Sequence, residues 1–217
     1  MTTLLIATRN AHKVGEIQAI LGAQFRCLTL KDFPDAPPVV ENAETFAGNA
    51  TKKAVELAKW LAQTESGKQK AESRNFFVLA DDSGLEVDAL NGAPGVHSAR
   101  FAALDKTENS HDADNNAKLL RLLKDMPLEK RTARFHCVIA LVEIRPPSSI
   151  LHPQIFDGAC EGRIQFAASG GGGFGYDPLF VPDGFKESFA ELGEDVKNQL
   201  SHRAKALAKL KAFFTTK

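Results

Sequence analysis

Five consecutive apolar residues, Phe76 to Ala80, lead without a break into Asp81-Asp82-Ser83-Gly84. A run of that length with no polar alternation reads as a strand buried on both faces, the kind found inside an α/β sheet. Two neighbouring carboxylates at the end of such a strand repel each other unless a cation or a proton intervenes. Open α/β sheets bind their ligands at the carboxyl ends of strands. Hard oxygen donors of this type suit Mg²⁺, which takes carboxylates, waters and phosphates. The same four residues also suit an Asx-turn that simply ends the strand.

The remaining patterns fit around that strand. Thr3–Ala7 is a short buried strand, broken by Thr8-Arg9-Asn10. Val14, Ile17, Ile20 and Leu21 then recur at helical spacing, with Gly22 as the stop signal. Phe25–Leu30 predicts a second strand, and three prolines make Asp32–Pro38 irregular. Phe46, Ala50, Ala54, Leu57 and Leu61 predict a long helix, followed by a polar surface stretch over Thr64–Asn75. A helix over Ala113–Lys124 precedes two strands, Thr132–Ile144 and Gln154–Phe166, read as antiparallel across a Pro/Ser loop at Arg145–Pro153. The last helix is expected over Asn198–Phe214. Alternation early and a hairpin late predict an α/β fold with a mixed sheet. Neither a repeat nor a shift in composition divides the chain, so residues 1–217 are expected to form one domain.

Charge narrows the function. Lys+Arg and Asp+Glu both number 27, which disfavours a protein that holds long nucleic acid by net positive charge. No window of roughly 18 apolar residues exists to span a membrane. Met1–Ala7 carries neither a basic start nor a cleavage-site pattern. Cys27, Cys137 and Cys160 lie far apart and read as reduced core thiols. The expected location is the cytoplasm.

Three further segments carry candidate chemistry. Thr8-Arg9-Asn10-Ala11-His12-Lys13 precedes a helix, whose unpaired N–H groups and partial positive charge attract phosphate. Ordinary N-capping with solvated basic residues explains the segment equally well. Ser169 to Pro178 holds five glycines, so its backbone can approach a ligand closely, and Phe174 and Tyr176 can offer rings to a nucleobase. Lys197 and Ser201-His202-Arg203 supply donors for a phosphate or a base carbonyl, although a solvated helix end has the same composition. Glu41 and Glu44 precede the long helix; either caps it electrostatically or reaches a metal at the aspartates.

Taken in order, these pieces resemble the inosine triphosphate pyrophosphatase family, also called dITP/XTP pyrophosphatases. The resemblance rests on Thr8-Arg9-Asn10 with Lys13 and Glu16, and on Thr45-Phe46 with Asn49-Ala50 and Lys53-Ala54. It continues through Ala80 to Leu85, Gly92 to Arg100 and Phe135-His136-Cys137. Gly172 to Pro178 and Ser201-His202-Arg203 complete it. The resemblance implies two lobes around a long central mixed sheet flanked by helices, with the active site in the cleft between them. It implies Mg²⁺-dependent hydrolysis of ITP, dITP and XTP to the monophosphate and pyrophosphate by a homodimer. It assigns phosphate binding to Thr8 through Lys13, the catalytic metal-binding aspartate to Asp82, and a substrate contact to Ser83. A second metal ligand maps to Glu41. Base binding maps to Phe174, Gly175, Tyr176 and Asp177, with Lys197, His202 and Arg203. The chain departs from the family pattern at Arg9 (glycine in many relatives), Val40 (an acid) and Gly48 (glutamate).

Two readings compete. A septum-type nucleotide pyrophosphatase acting on pyrimidine triphosphates shares the fold and reaction. A nucleotide-sensing or RNA-binding module needs no turnover, but neutral charge and adjacent acids disfavour it.

Overall fold

The computed structural model describes residues 1–64, 75–103, 109–145, 149–150 and 152–216. Most of the Thr64–Asn75 stretch expected at the surface lies outside the described residues. The strands are β1 (Thr2–Ile6), β2 (Phe25–Thr29), β3 (Phe76–Val87), β4 (Thr132–Arg145), β5 (Ser149–Ile150), β6 (Gln154–Ile164) and β7 (Phe180–Pro182). The helices are α1 (Ala11–Leu21), α2 (Phe46–Gln63), α3 (Asp112–Leu122), α4 (Phe189–Leu200) and α5 (His202–Thr215). None among the described residues is long and apolar enough to cross a membrane.

The sheet is open and ordered β2-β1-β3-β4-β6-β7, with β5 beside β4. It is mixed. β1 runs parallel to both β2 and β3, whereas β5 and β7 run antiparallel to β4 and β6. The chain divides into two compact units: residues 1–82, 138–157 and 206–217, and residues 83–137 and 158–205.

In the first unit, Leu4, Leu5 and Ile6 are buried on both faces of β1, as an apolar run without alternation requires. Ile17 and Leu21 of α1 and Leu57 and Leu61 of α2 complete that core. Phe214 meets Phe77 and Phe25 edge-on, at centroid distances of 5.0 and 5.3 Å. The second unit packs Leu85, Phe101, Leu119, Phe135, Tyr176, Phe180 and Phe189. Cys27, Cys137 and Cys160 are free thiols.

Three expectations need correction. β3 does not stop at Ala80 but continues through the aspartates to Val87, because Leu85 and Val87 are also fully buried. The segment expected as an irregular loop at Arg145–Pro153 instead contains β5, which pairs Ser149 with Arg145; residues 146–148 and 151 lie outside the described residues. The final helix starts at His202 rather than Asn198, and α4, which the sequence pattern does not predict, precedes it. Ser201 is extended (φ −66°, ψ 163°), and its Oγ accepts from Ala204 N at 3.2 Å, capping α5. The preceding helix begins at a Ser188/Glu191 capping box and is interrupted by Gly193 at φ +80°, which breaks its apolar periodicity.

Arg131 locks the end of α3. It is 2% exposed, and its guanidinium donates to the carbonyls of Leu123 (2.6 Å), Met126 (3.0 Å) and Gln165 (3.0 Å). Leu123 caps the end of α3, where carbonyls lack helical partners, and a fork of donors reaches it together with the carbonyls of Met126 and Gln165 outside the helix. Arg131→Met removes three hydrogen bonds at about 1 kcal/mol each, about 3 kcal/mol in all, and the Leu123 carbonyl keeps only its bond from Met126 N. Thermal denaturation should show a midpoint lower by about 6–12 °C. A shift under about 2 °C would show that solvent replaces those bonds without cost.

Candidate active site

The first unit gathers charged groups around two helix starts. Asn10 caps α1, its Oδ1 accepting from Lys13 N at 3.1 Å, and Thr8 Oγ1 accepts from Asn10 N at 3.2 Å. The turn therefore begins α1 cleanly and leaves its first-turn N–H groups pointing away from the helix. Arg9 donates to the Ala36 carbonyl at 2.9 Å, tethering the proline-rich segment.

The aspartates stand in mid-strand, where successive side chains point to opposite faces, and each has its own cation. Asp81 Oδ1 lies 2.5 Å from Lys13 Nζ. Asp82 Oδ2 accepts from Asn49 Nδ2 at 3.1 Å, and its Oδ1 is 3.6 Å from Lys53 Nζ. The expected repulsion of two bare neighbouring carboxylates is thus relieved by lysines on two different helices. Lys53 also donates to Glu41 Oε2 at 2.6 Å and to the Asp81 carbonyl at 2.7 Å. One ammonium therefore holds Glu41 and Asp82 together.

Burial pushes the Asp82 carboxyl up to about 6, and Glu41 adds to the rise; Lys53, Lys13 and the Asn49 bond oppose it. Burial works against the charge of Lys53, but attraction from Asp82 and Glu41 outweighs it and raises its pKa. Asn49 and Lys53 are four residues apart on α2 and share a face. The helix start is secured by Thr45 Oγ1, which accepts from Gly48 N at 3.0 Å, and by Asn49 Oδ1, which accepts from Ala43 N at 2.9 Å. A Cβ at Gly48 would sit 2.7 Å from that of Ala43. Glutamate at this position would displace the segment that carries Glu41.

Among the described residues, no group of three or more His, Cys, Asp or Glu side chains is arranged to hold a metal. Glu41 and Asp82 do offer hard oxygen donors around one shared positive charge. That is the donor chemistry Mg²⁺ uses when waters and phosphates complete its shell, so the residues fit the ion.

The second unit carries the other candidates. Ser83 Oγ accepts from Arg203 Nη2 at 2.8 Å. Arg203 is buried, and the buried His202 ring stacks on Phe135 at 4.9 Å and 14°. In the glycine-rich loop, Gly173 has φ +71° and a Cβ there would strike the Asp177 carboxylate. Asp177 Oδ2 accepts from Phe174 N at 2.8 Å and from Lys197 Nζ at 2.5 Å. The Lys197 ammonium lies 4.5 Å from the Phe174 ring centre. Tyr176 does not offer an open face. Its ring is in the core, its hydroxyl donates to the Ser98 carbonyl at 2.9 Å, and burial raises its pKa.

From the sequence, Asn49 and Lys53 stand out only as members of a motif. The available signal was polar residues beside the apolar stripe of α2, both buried in the fold.

The Ham1 family model matches residues 4–213. A dITP/XTP pyrophosphatase of Geobacillus kaustophilus is 46% identical over 211 residues, covering 97% of this chain and 93% of that protein. One from Geobacter sulfurreducens is 47% identical over 212 residues, covering 97% and 96%. Among solved structures, a HAM1 protein from Coxiella burnetii matches with a TM-score of 0.80 at 35% identity, covering 100% of both chains. The Staphylococcus aureus Ham1 protein gives 0.77 at 33% identity, covering 99% of each.

Proposed function

The chain belongs to the Ham1 family, and from that premise we propose that it hydrolyses non-standard purine nucleoside triphosphates (ITP, dITP, XTP) to the monophosphate and pyrophosphate. The observation that carries this reading is the buried Asp82 carboxylate, which shares Lys53 with Glu41. A carboxylate held near neutral pKa is matched to taking a proton from water. Asp82 orients and deprotonates the attacking water. Lys13, Lys53 and the start of α1, from Thr8 to His12, offset the charge of the triphosphate. Hydrolysis of a phosphoanhydride depends mainly on such positioning and electrostatic stabilisation. Mg²⁺ held by Asp82 and Glu41 would neutralise charge on the triphosphate oxygens.

The glycine-rich loop and the Ser201–Arg203 segment serve the base in this reading. Phe174 stacks on the purine, its loop held by Gly175, Tyr176, Asp177 and Lys197. Ser83 contacts the substrate beside Asp82. His202 and Arg203 donate to the C6 oxygen of hypoxanthine or xanthine, whereas adenine presents an amino donor there. A site built on matched hydrogen bonds rejects the unmatched analogue. Arg203→Ala should reduce the ITP-over-ATP preference in kcat/KM by about 10- to 100-fold, the worth of one charge-assisted bond. An unchanged preference in a protein of normal melting temperature would remove Arg203 from base recognition. The same reading makes the enzyme a cytoplasmic homodimer, with a small nucleotide as its partner rather than nucleic acid or membrane.

The test is release of pyrophosphate from ITP, XTP, dITP, GTP, ATP, CTP and UTP, with and without Mg²⁺. Rapid Mg²⁺-dependent release from the first three is expected. Preference for a pyrimidine triphosphate would instead favour the septum-type enzyme, and tight binding without turnover a nucleotide sensor.

A further inference from the structure

The 173–177 loop is held by two side chains that play no part in the reaction described above. Gly175 N donates to Asp112 Oδ2 at 2.7 Å, and the Gly175 carbonyl accepts from Asn116 Nδ2 at 3.0 Å. Both backbone groups of one residue are thus taken by side chains four apart on α3, hence on one face of it. Gly175 has a left-handed φ of +63°. Glycine there gains the conformation without steric cost but has wide freedom to leave it, so external bonds must hold it.

α3 is itself anchored. The intervening Asn115 accepts from Ala102 N at 2.8 Å and donates to the Ala99 carbonyl at 3.4 Å. The next residue back, Ser98, accepts the Tyr176 hydroxyl on its carbonyl, and its own Oγ accepts from Leu85 N at 2.9 Å. Loop and clamp are therefore fixed to the same short segment. Asn116 Oδ1 is buried with no hydrogen-bond partner. Packing alone would favour an apolar side chain in that position, because an unmatched buried oxygen is unfavourable. The amide is explained by what its nitrogen does.

We infer that Asp112 and Asn116 are positioning residues for base recognition: by pinning the Gly175 peptide they set Phe174 in place before the purine arrives. This rests on the proposed function, in which Phe174 stacks on the base. Preorganisation of this kind acts on binding rather than on the chemical step.

The experiment combines steady-state kinetics with amide hydrogen exchange on the full chain. Asn116→Ala and Asp112→Ala should each raise KM for ITP by about 2- to 10-fold, the range for one hydrogen bond, with kcat nearly unchanged. Asp112→Asn, which keeps an acceptor oxygen, should restore KM. Inhibition by inorganic tripolyphosphate, which has no base, should be the same in all four proteins. Exchange over residues 173–177 should quicken in both alanine variants. Unchanged exchange there, or weakened tripolyphosphate inhibition in parallel with KM, would overturn the inference. If the wild-type protein does not hydrolyse ITP, the functional reading fails, and the exchange result still decides whether the clamp exists.

Discussion

An Asp82→Asn protein should fold, melt near the wild-type temperature and lose turnover by on the order of 10³-fold, within the range for removing a general base. The substitution is close to isosteric and keeps an oxygen toward Asn49, whose Nδ2 donates to Asp82 Oδ2. It removes the negative charge that burial disfavours, which is why the carboxyl stands at about 6; the fold therefore loses little. Lys53 keeps its bonds to Glu41 and to the Asp81 carbonyl. What disappears is a group able to take a proton and a hard anionic donor for the ion. Pyrophosphate release from ITP across a Mg²⁺ series, with a thermal melt as control, measures both. Normal folding with wild-type turnover would refute the role of Asp82.

Lys53→Met should lower kcat/KM by on the order of 10²-fold, because removing one partner of a buried ionic cluster leaves the other charges uncompensated. The side chain is 10% exposed. Its ammonium faces Glu41, Asp82 and the Asp81 carbonyl at 2.6, 3.6 and 2.7 Å. Without it, Glu41 and Asp82 repel each other, and the Asp82 carboxyl, already pushed up by burial, rises further. Lys53→Arg should recover only part of the loss, since a planar fork does not fit where a compact ammonium serves three oxygens. Titration of turnover against Mg²⁺ separates two cases. Wild-type activity of Lys53→Met at every Mg²⁺ concentration would sink the role of the ammonium; a deficit that persists at saturating Mg²⁺ would support it.

The ends of elements were legible where the signal is local. Asn10 was readable as a helix start because capping depends on a residue and the N–H three positions on. The stripe from Phe46 to Leu61 was readable because helical period is a property of one segment. β3 looks shorter from its residues than it is, because charged residues resemble a turn unless their partners are known. α4 is not legible because Gly193 interrupts its apolar period, and the start of α5 is set four residues early because Ser201 looks like any helix residue until its backbone is seen extended.

Ordered short motifs mark the family in the residue order alone, and periodicity and caps mark most of the local elements. The pairing of the charges is set by the folded chain. Asn49 meets Asp82 from 33 positions away, Lys53 meets the Asp81 carbonyl from 28, and Asp112 meets Gly175 from 63. Contacts of that span depend on the register of β3 in the sheet and on which helix face is packed beside it. No local pattern of residue types records either, because the favourable partner of a buried charge is defined by distance in space and not by separation along the chain.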